Sequence, residues 1–326
     1  MAADFSNHGL WYFPPVALAR ARREVDPDKV VANLEKRNEM RRRGYEQARS
    51  LVNNLAVSGA DQGILFEQQA YASLSRRLDA QSNRCPHCWH DRLQRCICTS
   101  VGGNARLTLN VRVLVLIHHK EFGRASDDAK LLLMMLPPEQ QKLFIFGRPG
   151  DLEAMMEEVD RDPDHALMLW PGDGALTVDG FLSALPATSA WRRRPPDDGS
   201  SISSNVAAGA SSTRPVLRVV VLDAVYRAAR RMFRHLQKQR LATNPSHPLQ
   251  HVALHPTTLS VYSRAQHGYA QASAQSTAQS ADPAALRICT VEAFALLLEE
   301  LGEPPTTTRR FVDAVIINNR ALHLAS

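Results

Sequence analysis

Two short apolar runs set the tightest limit on what this chain can fold into. Residues 111–118 read V-R-V-L-V-L-I-H, and residues 216–222 read V-L-R-V-V-V-L. A strand that is apolar on both of its alternating faces must be covered on both sides, as in a parallel sheet. Shorter runs at 142–146, 166–170 and 286–289 read as further strands. Between them lie helical stretches at 151–159, 224–238, 291–301 and 306–322. Another helix is expected to open at Ser126, a hydroxyl cap followed by Asp127 and Asp128, and to stop before Pro137 and Pro138. Strands alternating with helices predict an α/β fold with a mostly parallel sheet and helices on both faces. No stretch reaches the roughly 18 consecutive apolar residues of a membrane helix, so no membrane partner is expected.

The N-terminal part reads differently. Residues 27–57 and 64–80 are expected to be helical, with Pro27 early in the first. From Arg20 to Arg49 there are ten basic and six acidic residues, which suits either a solvated helical extension or an RNA-binding arm. Two tracts, 192–215 and 266–282, are poor in large apolar groups and read as low-complexity insertions. The strand–helix alternation resumes after each. The expected organisation is therefore a helical extension over 1–84 and one α/β domain over 85–326. The balance of 39 basic to 33 acidic residues, a formal net charge of +6, fits an anionic partner or ordinary solubility.

Four of the five cysteines stand within residues 85–98. Cys85, Cys88, Cys96 and Cys98 make C-x2-C-x7-C-x-C. Zinc takes four such ligands in a tetrahedron, and four thiolates close its coordination sphere. The pattern therefore predicts a structural zinc knuckle. His87 and His90 are possible substitute donors. Clustered thiols, with no charged leader followed by an apolar run, read as a reducing, intracellular setting, cytoplasmic or nuclear, with organellar import left open. The fifth cysteine, Cys289, reads as a small core residue.

Beyond the cysteines, six short motifs follow in order. They are H-H-K-E (118–121), S-D-D-A-K-L-L (126–132), L-W-P-G-D (169–173), V-L-D-A-V-Y-R-A-A-R-R-M (221–232), Y-S-R (262–264) and C-T-V-E-A (289–293). Together with the cysteine cluster this set resembles the DTW-domain family over about residues 85–301. The resemblance implies a knotted, SPOUT-like fold. It also implies transfer of a 3-amino-3-carboxypropyl group from S-adenosylmethionine to ring nitrogen 3 of a tRNA uridine. The chain departs from the family pattern at several places. D-G-T-W reads Asp223-Ala224-Val225-Tyr226, H-P-x-E reads His118-His119-Lys120-Glu121, and S-N-T reads Ser126-Asp127-Asp128. A non-catalytic zinc-containing RNA-binding protein, or an S-adenosylmethionine-dependent RNA methyltransferase, would use the same frame.

The resemblance and the strand ends together nominate residues. Open α/β sheets bind ligands at the carboxyl ends of their strands. Asp223 sits at such an end and could take the uridine proton, or could simply cap the next helix. Leu116, His118, Trp170, Pro171, Gly172 and Leu222, with Thr290 from a fourth turn, would wall the cofactor pocket. Arg227, Arg230, Arg231, Arg234 and Lys238 recur at helical spacing on one face of helix 224–238. Val225, Ala229, Met232, Phe233 and Leu236 fall opposite. The cationic stripe suits tRNA phosphates or a solvated face, and the Y-S-R segment would add Arg264.

Overall fold

The two long apolar runs become the two central strands. The structure, a computed structural model, describes residues 32, 35, 39, 42, 43, 46–53, 59–78, 84–90, 95–102, 106–192, 215–254, 261 and 288–323. Among the described residues, five strands form one sheet. They are β1 (Val111–His118), β2 (Gln141–Phe146), β3 (Ala166–Leu169), β4 (Leu217–Asp223) and β5 (Gln250–Val252), ordered β2-β1-β4-β3-β5. Every pairing is parallel.

Alternation along β1 and β4 feeds two cores. Val113, Val115, Val219 and Val221 point to one face. There they pack with helices α3 (Lys130–Met135), α5 (Val178–Ala184), α7 (Thr290–Glu300) and α8 (Pro305–His323). Leu114, Leu116, Val220 and Leu222 point to the other face, against α4 (Asp151–Asp160) and α6 (Tyr226–Thr243). The expected α/β architecture with helices on both faces is therefore present. Each fully buried Val or Leu contributes about 1.5–3 kcal/mol, so these central strands hold both layers together. On the N-terminal side, α1 (Gly59–Leu78) rests Ile64 against the α4/α6 core, and the short α2 (Cys98–Gly102) follows the last clustered cysteine.

The order of strands positions the site. β1 leads through α3 to β2 on one side of the sheet, whereas β4 leads through α6 to β5 on the other. Their connections part at the carboxyl ends of β1 and β4. That is the topological switch at which open α/β sheets hold ligands. Ile117 pairs with Asp223 across it.

Several local expectations need correcting. Residues 288 and 289 form no strand, since Cys289 is the N-cap of α7; residues 286 and 287 lie outside the described residues. The fifth strand is instead Gln250–Val252, in which only Val252 is buried, too short and polar to leave an apolar run. The helix expected at Ser126 begins at Lys130, with Ala129 as an N-cap that makes no side-chain bond. Asp127 still receives the Lys130 amide at the helix start, whereas Asp128 is drawn off to a distant partner described below. Helix 64–80 is Gly59–Leu78, and helix 224–238 is Tyr226–Thr243. Val225 lies outside that helix's apolar face and is exposed as its N-cap. The bulk of both insertions (193–214 and 266–282), and Tyr262–Arg264, lies outside the described residues.

Candidate active site and thiol cluster

Three separate motifs meet at the carboxyl ends of β1 and β4. Asp223, the last residue of β4, is buried, and its Oδ1 accepts a 2.7 Å hydrogen bond from the Thr290 hydroxyl. It does not cap α6, whose N-cap is Val225. Asp128 accepts a 3.0 Å bond from the Val291 amide, and Asp127 accepts a 3.2 Å bond from the Lys130 amide. The C-T-V-E motif is thus a capping box with added reach. Glu292 accepts from the Cys289 amide at 2.9 Å, while the Cys289 thiol accepts in return from the backbone of Glu292. Its other oxygen accepts from the Val261 amide at 2.7 Å. Thr290, the Val291 amide and the second Glu292 oxygen therefore tie the start of α7 to three separate parts of the chain.

The cluster concentrates negative charge. Asp127, Asp128 and Asp223 are all buried, and the fully buried Lys130 is the cation among them. Lys130 donates to the Ala125 carbonyl and lies 6.0 Å from the Trp89 ring centroid. Burial pulls its ammonium down to about 8, against the pull of Asp127. Burial, and then the charge of Asp223, push Asp127 well above the ordinary carboxylate range. The same two causes raise Asp128 to about 6. Three buried carboxyls cannot all ionise around one ammonium. Asp127 Oδ2, buried with no hydrogen bond among the described residues, is where a proton is most easily held.

A stability test follows from the sign of this shift. A carboxyl whose pKa is raised on folding is least costly below its unfolded pKa, and stability is lost as pH rises through the folded value. Asp127→Asn keeps the oxygen that receives the Lys130 amide and removes the titration. Its melting temperature should match wild type near pH 4 and exceed it by more than about 2 °C at pH 8. A difference that does not grow with pH between those limits would contradict this charge assignment.

The nominated pocket residues lie around this cluster in different ways. Leu116 pairs with Leu222 across the switch, both side chains being buried in the α4/α6 core, so only their backbones face the strand ends. Trp170 is buried and stacks on Tyr226 at 5.7 Å and on Phe233 at 5.1 Å. Tyr226 is half exposed, at 51%, three residues beyond Asp223. Pro171 and Gly172 are exposed, and a Cβ on Gly172 would come within 3.0 Å of the Trp170 indole nitrogen. The His118 ring turns elsewhere and lies tilted against His119, with ring centroids 4.4 Å apart. On α6, Arg227, Arg230, Arg231, Arg234 and Lys238 are all exposed, while Ala229, Met232 and Leu236 are buried. Arg231 reaches Glu67 of α1 at 3.3 Å. Arg264 lies outside the described residues.

The cysteines converge beside this site. Their four sulfurs lie within 4.8 Å of one another, with Cys85 to Cys98 at 3.4 Å and Cys88 to Cys96 at 3.7 Å. Sulfurs bound to one tetrahedral ion at about 2.3 Å stand roughly 3.8 Å apart, so the spacing fits a zinc site. Burial opposes ionisation of Cys85, yet the backbone at Cys88 and His87 brings its thiol down to about 7. Burial raises Cys88 and Cys98. His90 is no spare ligand, because its Nε2 meets Asn318 Oδ1 at 2.8 Å, while His87 is exposed. Trp89, at φ 57°, turns the knuckle in a backbone conformation unusual for a bulky residue.

An all-parallel sheet gathers polar groups at its switch point, and a four-cysteine cluster that could hold a metal ion lies alongside, on an α/β domain. The chain belongs to the DTW domain family, whose pattern matches residues 82–315. Membership is consistent with a tRNA-modifying enzyme. Comparison with curated proteins and with solved structures returned no match. Among the described residues, no helix is long and apolar enough to cross a membrane.

Proposed function

We propose that this chain transfers a 3-amino-3-carboxypropyl group from S-adenosylmethionine to ring nitrogen 3 of a tRNA uridine. The observation that carries this reading is the buried carboxylate cluster at the β1/β4 switch, centred on Asp223. Its excess negative charge suits a sulfonium, so the residues present fit the cofactor. The backbone ends of β1 and β4 at Leu116, His118 and Leu222, the turn Trp170–Gly172, and Thr290 would hold it. When bound, the cofactor supplies an electrophilic methylene and leaves as methylthioadenosine.

The chain's own residues do the rest. Asp223 takes the proton from the uridine ring nitrogen, and Thr290 holds the carboxylate in position. Asp127, whose carboxyl is pushed well above the ordinary range by burial and then by the charge of Asp223, is the member of the cluster that most readily holds a proton. The half-exposed Tyr226, stacked on Trp170, offers an aromatic face beside Asp223 for an unstacked base. The cations of α6 receive phosphates. The knotted, SPOUT-like threading belongs to the same reading. We also take residues 1–84 as an extension of an α/β domain over 85–326.

The deciding experiment is mass analysis of nucleosides from tRNA incubated with the protein and S-adenosylmethionine. Aminocarboxypropyl-uridine with methylthioadenosine is expected. Adenosylhomocysteine would replace this reading with methylation. RNA binding without any product would indicate a non-catalytic binder, a reading favoured by one departure: Val225 presents exposed methyl groups where the family carries a threonine hydroxyl.

Zinc is the proposed occupant of Cys85, Cys88, Cys96 and Cys98. Elemental analysis should find about one zinc at this cluster. Cys96→Ser with Cys98→Ser should lose it and lower the melting temperature, because closed thiolate sites contribute directly to folding. Unchanged zinc in that variant would contradict the assignment.

A further inference from the structure

We propose that Glu67, His118 and His119 hold a second divalent ion of the zinc class, separate from the cysteine cluster. The three side chains come from two places. His118 ends β1 and His119 begins the loop after it, whereas Glu67 projects from α1, outside the residues matched by the family. His119 occupies the position at which the family pattern carries proline.

The donor set is buried and converges on one point. Exposure is 4% for Glu67, 1% for His118 and 0% for His119. Glu67 Oε2 lies 3.5 Å from His118 Nε2 and 3.4 Å from His119 Nδ1. These are long for hydrogen bonds. They match the edges of a tetrahedron, since ligand atoms about 2.1 Å from one ion stand about 3.4 Å apart. Glu67 Oε2 and His118 Nε2 are also buried with no hydrogen bond among the described residues. Leaving such groups unsatisfied is costly, and a shared ion would satisfy both. Arg231 engages the other Glu67 oxygen at 3.3 Å and so leaves Oε2 to face the two rings.

The backbone holds this arrangement in place. Gly147, in the turn after β2, has φ 103°. A Cβ there would sit 2.7 Å from the Glu67 carbonyl oxygen and 3.3 Å from His119 Nδ1. Only glycine allows α1 to approach so closely. Ion uptake competes with two long contacts, the Lys120 amide to His118 Nδ1 at 3.2 Å and His119 Nδ1 to the Phe146 carbonyl at 3.3 Å. An ion must therefore displace both contacts, moving the His118 proton from Nε2 to Nδ1 and freeing His119 Nδ1 of its proton. Two imidazoles and one carboxylate are a common ligand set for zinc with one position left for water or a substrate oxygen. The ion would also fasten α1 to the end of β1.

The test counts metal and needs no activity. Full-length wild type, Glu67→Gln and His119→Asn are purified without chelator and analysed for zinc. Wild type should carry one equivalent more than either variant, and the variants' zinc affinity at this site should fall at least roughly a hundredfold. Equal counts in all three proteins overturn the proposal. Cobalt titration of wild type gives a check that does not depend on the variants folding. One cobalt equivalent should raise visible d–d absorption without adding to the near-ultraviolet sulfur-to-cobalt band. If every bound equivalent adds to the sulfur band, the cluster is a hydrogen-bonded His–Glu group and not a metal site.

Discussion

Replacing Asp223 with Asn should abolish group transfer while leaving S-adenosylmethionine affinity within about tenfold. The amide keeps the shape of the carboxylate, and its oxygen can still accept the Thr290 hydroxyl that now bonds Oδ1 at 2.7 Å. What it loses is the capacity to take a proton and the negative charge facing a developing cation. Loss of a positioned base commonly costs about 10²–10⁴ in rate. Single-turnover transfer measured on saturated enzyme reads this directly, because it removes binding and product release from the observation. Retention of wild-type single-turnover rates would leave Asp223 as a strut that positions Thr290. The neighbouring Asp127→Asn offers the contrast. It alters a group whose proton burial and the charge of Asp223 hold well above the ordinary carboxylate range, so it should act mainly on stability and on the pH profile.

The features that were legible in the sequence are those whose physical cause is local. β1 and β4 show themselves because, apart from Arg112 and His118 in one and Arg218 and Asp223 in the other, both of their faces are apolar. The thiol cluster shows itself because two tight turns must each deliver two sulfurs to one point. The basic face of α6 shows itself because five cations at helical spacing leave Ala229, Met232 and Leu236 opposite them. Where a bond spans the chain, the local signal misleads. Ser126, Asp127 and Asp128 have the composition of a helix cap, but Asp128 bonds an amide 163 residues away, and the helix starts two residues after it. Asp223 has the position of a cap, but its partner is Thr290, 67 residues on. Glu67 gave no signal at all, since nothing around it in sequence marks it as the partner of His118 and His119. One hint was available: a histidine stands where the family pattern has proline, and a second imidazole beside a first invites the question of what they share.

Changing Arg230 and Arg234 together to Glu should weaken tRNA binding and flatten its salt dependence. Both side chains are exposed on α6, about two and three turns beyond Asp223, and neither touches the apolar face formed by Ala229, Met232 and Leu236. Stability should therefore hold within about 0.5 kcal/mol. Arg231 is left untouched because it is engaged with Glu67, and its loss would disturb α1 as well as any phosphate contact. Each phosphate contact removed should lower the log–log salt slope by roughly 0.7–0.9, so the double variant should lose about 1.4–1.8 if both residues touch phosphate. Cofactor affinity should not change. An unchanged slope would mean that the stripe is a solvated helix face. The tRNA would then have to be gripped elsewhere, and the basic segment from Arg20 to Arg49 would be the next surface to neutralise.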